Sequence, residues 1–139
     1  MTKKEVIEKG LALIRWSEFA MVGTVDDDGS PTIRAMIRME HTGLKEFWFT
    51  TNESSNKTAQ LRKNPKACVY IVDFKKYEGL QLVGKIEVLC DKKSRQRIWR
   101  KGFERYYPMG VDDPDYCVLR FKAERGEYYH SLETKSFKL

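Results

Sequence analysis

The chain has 139 residues, with 26 Lys and Arg against 20 Asp and Glu and a formal net charge of +6, and is expected to form one domain over residues 1–139. Hydrophobic residues at 41% and aromatic residues at 12% supply enough material for a core, and no apolar run is long enough to span a bilayer. The amino-terminal stretch MTKKEVIEKG has neither the apolar centre nor the cleavage site of a secretory signal, so the expectation is a soluble cytoplasmic protein with no membrane partner.

Thr2-Lys3-Lys4-Glu5 fits a capping box, and Ile7, Leu11 and Ile14 recur at helical spacing, which predicts a short amphipathic helix ending near Trp16. FAMVGTV, Phe19 to Val25, reads as a strand, and DDDGSP as the turn after it. Thr32 to Met39 alternates cleanly, with Ile33, Ala35, Ile37 and Met39 on one face and Arg34, Met36 and Arg38 on the other. His41-Thr42-Gly43 reads as a second turn and EFWFTT as a third strand. Ser54 and Ser55 can cap a helix running to about Lys63, which Asn64-Pro65 stops.

ACVYIVDF, Ala67 to Phe74, is strand-like, and YEGLQLVGKIEVL continues as a long strand with Gly79 and Gly84 marking bulges or kinks. Asp91 can cap a helix through KKSRQRIWRKGFERYY, and PMGVDDPD breaks the chain into a loop. YCVLRFKAE, Tyr116 to Glu124, and GEYYHSL predict two closing strands. The fold class is mainly β, with six to seven mostly antiparallel strands curled into a barrel that removes exposed edges, flanked by three helices.

The segment FWFTTNESSNKTAQLRKNP carries the functional signal. A strand ends in Thr50 and Thr51, and the helix after it opens with Ser55, Asn56 and Lys57. A helix N-terminus offers free N–H donors and a partial positive charge. With the fork of Arg34 from the preceding strand and the point charge of Lys57, these groups suit a phosphate monoester. The same residues read on their own as a helix cap beside a solvated lysine.

RAMIRMEHTGLKEFWFTTNESSNKTAQLRKNP resembles the phosphate-binding region of the pyridoxamine 5'-phosphate oxidase-like FMN-binding split-barrel family. The resemblance covers nearly the whole chain, and IWRKGFERYYPMGVDDPDYCVLRFKAERGEYY is similar to the general-stress flavin-binding subgroup. It implies a split barrel that forms a homodimer with FMN at the subunit interface. It implies that Arg34 and Lys57 grip the phosphate with Ser55 and Asn56 nearby, and that Thr50 and Thr51 line the ribityl path. The backbone of Arg34, Ala35, Met36 and Ile37 would lie along the flavin ring, and Tyr129 would reach the flavin from the partner chain. Relatives often carry Arg-Lys where this chain has Asn56-Lys57, and Arg38 is a candidate to compensate. The chain ends YYHSLETKSFKL and lacks the substrate-binding R-L-H-D-R-type segment of true pyridoxamine 5'-phosphate oxidases, so that activity is not expected.

The implied function is an FMN-dependent oxidoreductase acting on a small molecule such as NADH or NADPH, a quinone-like compound or a nitro compound. Non-catalytic flavin binding in a stress response, and deazaflavin or haem in the same barrel, stay open. A nucleic-acid-binding small barrel is the reading from another class, but the basic residues are interleaved with acids rather than gathered. His41 and His130 read as ordinary exposed histidines, and Trp16, Trp48 and Trp99 as core or interface residues, with Trp99 on the third helix. Asp112, Asp113 and Asp115 read as a structural loop rather than an acid/base pair. Cys68, Cys90 and Cys117 are far apart in sequence, lack metal-binding spacing and read as buried thiols in a reducing compartment. There is no glycine-rich dinucleotide motif, P-loop, nucleophile elbow or zinc-protease motif.

Overall fold

A computed structural model describes residues 1–139. The Thr2 hydroxyl accepts from the Glu5 N–H at 3.2 Å and opens α1 (Lys3–Trp16), which buries Val6, Leu13 and Ile14. The chain then forms β1 (Phe19–Val25) and β2 (Pro31–Ile37), an antiparallel hairpin. Its turn is held by the Asp26 carboxylate, which accepts from Asp28 N–H at 3.2 Å and Ser30 N–H at 2.9 Å, and Gly29 takes the required positive φ of 86°.

A short β3 (Glu40–Thr42) pairs with β4 (Glu46–Asn52), so His41 sits in a strand and only Gly43 and its neighbours turn. Then come α2 (Asn56–Lys63), β5 (Lys66–Asp73), β6 (Glu78–Leu89) and α3 (Lys92–Ile98). The expected long third helix stops at Ile98: Trp99 is its C-cap, and Gly102 in the left-handed region at φ 96° turns the chain into two short 3-10 turns. The predicted final two strands are one, β7 (Tyr116–His130), and an unanticipated β8 (Glu133–Lys138) pairs with it. Eight strands therefore stand where six or seven were expected.

The strand order is β2-β1-β5-β6-β7-β4-β3, all antiparallel, with β8 beside β7. Gly84 marks the bulge in the β6–β7 ladder, where the register shifts between Val83 and Gly84. A side chain there would run into the Lys122 carbonyl. Gly79 lies in regular register, and its missing side chain makes room for the Tyr129 ring. Where β2 ends, Arg38 N–H donates to the Glu18 carbonyl at 2.9 Å, and one residue later Met39 N–H donates to the Trp48 carbonyl at 2.9 Å. The chain is thereby handed from β1 to β4, which closes the curled sheet at this end. Further up, β2 and β4 have no ladder between them, and the barrel is split.

The inner face buries Ala20, Val22, Val69, Ile71, Leu80, Leu82, Ile86, Leu119 and Phe121 against α1. A smaller second core gathers Trp48, Ile98, Tyr107, Tyr116 and Val118 around Trp99 and Phe103. The alternation in β2 holds, but the apolar set is the exposed one. Met36 points inward at 8% exposure, while Ile33 and Ile37 are 65% and 54% exposed. Across the hairpin, Phe19 and Met21 pair with Ile37 and Ala35, and Met21 pairs with Tyr70 of β5. The outer face of β2, β1 and β5 is thus a continuous apolar surface in the single chain.

The bulge yields a test. Gly84→Ala forces a methyl against backbone and is expected to destabilise the protein by roughly 1–3 kcal/mol, read as a lower urea midpoint with an unchanged slope.

Candidate functional site

Arg34 lies on the inward side of β2 next to Met36. Its guanidinium donates to the Val22 carbonyl at 3.2 Å, the Thr24 hydroxyl at 2.7 Å and the Thr32 hydroxyl at 3.0 Å. The Gln60 side-chain oxygen on α2 accepts from Thr24 at 2.9 Å and from Thr32 at 3.3 Å. Two strands and a helix therefore fix the fork through neutral oxygens alone.

Lys57 opens α2 from the other side. Its ammonium donates to the Thr51 hydroxyl and reaches the Ser55 hydroxyl at 3.4 Å. Ser55 is the N-cap, accepting from Thr58 N–H at 3.3 Å. Neither Arg34 nor Lys57 has a carboxylate partner, although other basic residues do. Burial pulls the Lys57 ammonium below the ordinary lysine range, and the nearby Arg34 charge pulls it further. Burial likewise lowers Arg34. The charged forms lack compensation, as expected of a site shaped for an anion.

The loop between β4 and α2 is clamped from a distance. Asp115 accepts from Ser54 N–H at 2.8 Å and from the Asn52 amide at 2.8 Å, and its carbonyl accepts from Glu53 N–H at 2.8 Å. These bonds, Ser54 first, hold the Asp115 carboxyl below its usual range. Buried Asp113 accepts from Met109 N–H at 3.0 Å and Asp115 N–H at 2.9 Å. The Asp113 and Asp115 carboxylates are thus committed to hydrogen bonds within the fold while Asp112 is exposed, and the loop is structural, with Asp115 positioning the Thr51–Lys57 segment.

Arg34, Ala35, Met36, Ile37, Thr50, Thr51 and Lys57 line one cleft of about 330 Å³ between β2 and β4, together with Asn52, Tyr106 and Tyr107. Ser55 sits behind it through its contacts with Thr51 and Lys57. The strands of Arg34 and Thr50 are not sheet neighbours: β2 is an edge, and curvature of the sheet brings β4 opposite it. Beyond Ile37, Thr50 and Tyr106 the cleft continues into a second depression of about 370 Å³ carrying Arg100, Lys101 and Arg105.

Other expected residues lie elsewhere. Asn56 faces a separate surface with Asp26, Asp27 and Asp28. Arg38 does not supply a second phosphate cation: its guanidinium donates to the carbonyls of Ile14 at 3.1 Å and Ser17 at 3.3 Å, at the end of α1. Tyr129 is on the outer face, its hydroxyl 2.8 Å from that of Tyr70. His41 contacts the Gly43 carbonyl, and exposed His130 ends β7, so neither histidine lines the cleft. Trp48 is buried between Arg97 and Arg120, with ring-to-guanidinium distances of 4.4 and 5.5 Å, whereas Trp16 is exposed.

The sequence reading missed Tyr106 and Tyr107 because it ran a helix through them, and Gly102 was the available signal against that helix. Burial raises the Tyr107 phenol, with the Thr50 hydroxyl acting in the opposite direction. Gln60, Thr24 and Thr32 carried no local signal, since their role exists only once α2 lies over the β1–β2 hairpin.

Comparison with known proteins agrees with this architecture. No curated protein sequence matches the chain. A Clostridium acetobutylicum protein described as related to general stress protein 26 of B. subtilis (pyridoxinephosphate oxidase family) is 45% identical, with a TM-score of 0.90 over 99% of this chain and 97% of that one. General stress protein 26 from Bacillus anthracis shares the fold at 18% identity and TM-score 0.79, over 97% of this chain and 99% of that one. A heme binding protein from Mycobacterium smegmatis shares it at 14% identity and TM-score 0.77, over 99% of this chain and 60% of that one. The pyridoxamine 5'-phosphate oxidase like family matches residues 5–139, and the chain belongs to that family.

Proposed function

We propose that the protein binds FMN in the β2–β4 cleft, with the flavin phosphate between Arg34 and Lys57, and acts as an oxidoreductase on a small molecule. The observation that carries this reading is the pair of cations facing one cleft with only neutral hydrogen-bond partners. A dianionic phosphate supplies the missing charge and accepts from a planar fork and an ammonium. Thr50 and Thr51 offer hydroxyls along the cleft, and Tyr106 and Tyr107 an aromatic wall. Bound FMN would supply hydride or electron transfer, and the chain's own tasks are to anchor, orient and shield it.

A homodimer completes this reading. Ala35 and Ile37 border both the cleft and the apolar outer face, so a second copy seated on that face would wall the cleft from outside. Tyr129 and its partner Tyr70 lie on the same outer surface, where a residue reaching into the neighbouring subunit's site would have to stand. The depression with Arg100, Lys101 and Arg105 suits an anionic substrate such as NADH or NADPH. Glu133–Lys138, which form β8, carry no R-L-H-D-R-type segment, and true pyridoxamine phosphate oxidation is not proposed.

Adding FMN and desalting is expected to leave a yellow protein with one flavin per subunit. Arg34→Ala and Lys57→Ala should each cost roughly 1–3 kcal/mol, about 5- to 150-fold in Kd. Lys63→Ala, which removes a surface pair with Asp27, should change nothing. Full flavin retention in both cleft variants would reject the site.

Affinity should also fall at alkaline pH. The Lys57 ammonium is shifted below the ordinary lysine value of 10.5, so the gripping charge is lost as pH rises through that lowered pKa. Lys57→Arg should abolish the fall in a fluorescence titration. Steady-state oxidation of NADH or NADPH by the loaded protein then separates an oxidoreductase from a flavin-binding protein without turnover.

A further inference from the structure

Between the end of β6 and the start of β7 the chain leaves the sheet, carrying α3 and the cleft residues Tyr106 and Tyr107. Leu89 and Val118 are the last paired residues of that ladder, so Cys90 and Cys117 stand at the two feet of the excursion. Their sulfurs and a Glu53 carboxylate oxygen all lie within 4.8 Å of one another. Both are free thiols, Cys90 exposed and Cys117 buried. The Cys90 thiol donates to Glu53 at 3.5 Å, and the Arg62 guanidinium donates to the Cys90 sulfur at 3.7 Å. Arg62 also grips both Glu53 oxygens.

We propose that Cys90 and Cys117 form a reversible disulfide that staples the excursion bearing the cleft's aromatic wall, with hydrogen peroxide as oxidant. Cys90 lies just past the β6 ladder; carrying its register one step beyond Leu89 and Val118 sets Cys90 against Cys117, their sulfurs within 4.8 Å, and opposed residues in such a register have Cα atoms about 4.5–5.5 Å apart, inside the range a disulfide spans. Cys90 meets the oxidant because it alone of the two is exposed. Its proton leaves to solvent hydroxide as water, and the Arg62 guanidinium, 3.7 Å from the sulfur, stabilises the thiolate that forms. That thiolate attacks the O–O bond: an S–O bond forms, and hydroxide leaves, restoring the one consumed. The Cys117 sulfur then attacks the Cys90 sulfur. The S–S bond forms, the S–O bond breaks, and the Cys117 proton leaves with the hydroxide as a second water. In sum two thiols are oxidised and one peroxide is reduced to two waters. A metal ion is disfavoured at the same cluster because Arg62 already occupies both oxygens of Glu53.

Partial desolvation and the Glu53 carboxylate raise the Cys90 thiol, with Arg62 acting in the opposite direction, and burial pushes Cys117 up to about 12, so both rest as thiols. The test is mild peroxide treatment of the purified full chain, followed by alkylation under denaturing conditions and peptide mapping. The expected result is one alkylated thiol of the three, at Cys68, with the Cys90 and Cys117 peptides linked and released by dithiothreitol. Cys117→Ser should stop at a dimedone-reactive sulfenic acid on Cys90. Amide exchange over residues 91–116 should slow in the oxidised wild type while β1 is unchanged. Three alkylatable thiols after peroxide, a linkage through Cys68, or stoichiometric zinc released by thiol reagents would overturn the assignment. Unchanged exchange with the bond formed would overturn the staple. None of these readouts requires bound flavin.

Discussion

Two positive charges face one cleft and find only neutral oxygens. Arg34 is held by a backbone carbonyl and two threonine hydroxyls, and Lys57 by Thr51 and Ser55. On the surface Arg62 pairs with Glu53 and Arg120 with Glu87, and Arg38, which also lacks an ion pair, is spent on the carbonyls at the end of α1. Leaving two half-buried cations without a carboxylate costs stability, since each charge is partly desolvated and the two repel. Such an arrangement becomes favourable when an anion enters, which is why the site, rather than the barrel, carries the functional reading.

The cleft exists because the sheet closes at one end only. The consecutive bonds from Arg38 to Glu18 and from Met39 to Trp48 pass the chain from one side of the curled sheet to the other. Above them β2 and β4 diverge, and α2 fills the rear of the gap. Asp115, anchored through Asp113, holds the Asn52 side-chain amide and the Glu53 and Ser54 backbone N–H groups from a loop some sixty residues away in sequence. Positioning of Lys57 therefore depends on a long-range carboxylate clamp as well as on its own helix.

The same strand joins cleft and surface. In β2 the inward residues Arg34 and Met36 belong to the site and core, while Ile33, Ala35 and Ile37 belong to an uncovered apolar face. An exposed patch of this kind is a place for association, and its position beside the cleft couples the proposed assembly to the proposed binding.

The sequence by itself determined the elements whose signals are local: the Thr2 cap and α1, the β1–β2 hairpin with its Asp-Gly turn, the Ser55 cap of α2, and the bulge at Gly84. It also brought Arg34 and Lys57 forward, through a motif in which the cation, hydroxyls and helix start lie close along the chain. Only tertiary structure decided which face of β2 would be buried, because alternation gives two faces without saying which meets the core. It alone sent Arg38 to the end of α1, set Asn56 away from the cleft, brought Tyr106 and Tyr107 to it, and put Asp115 under the loop that carries Lys57. Those placements come from sheet curvature and from contacts between residues remote in sequence, which no short window of the chain encodes.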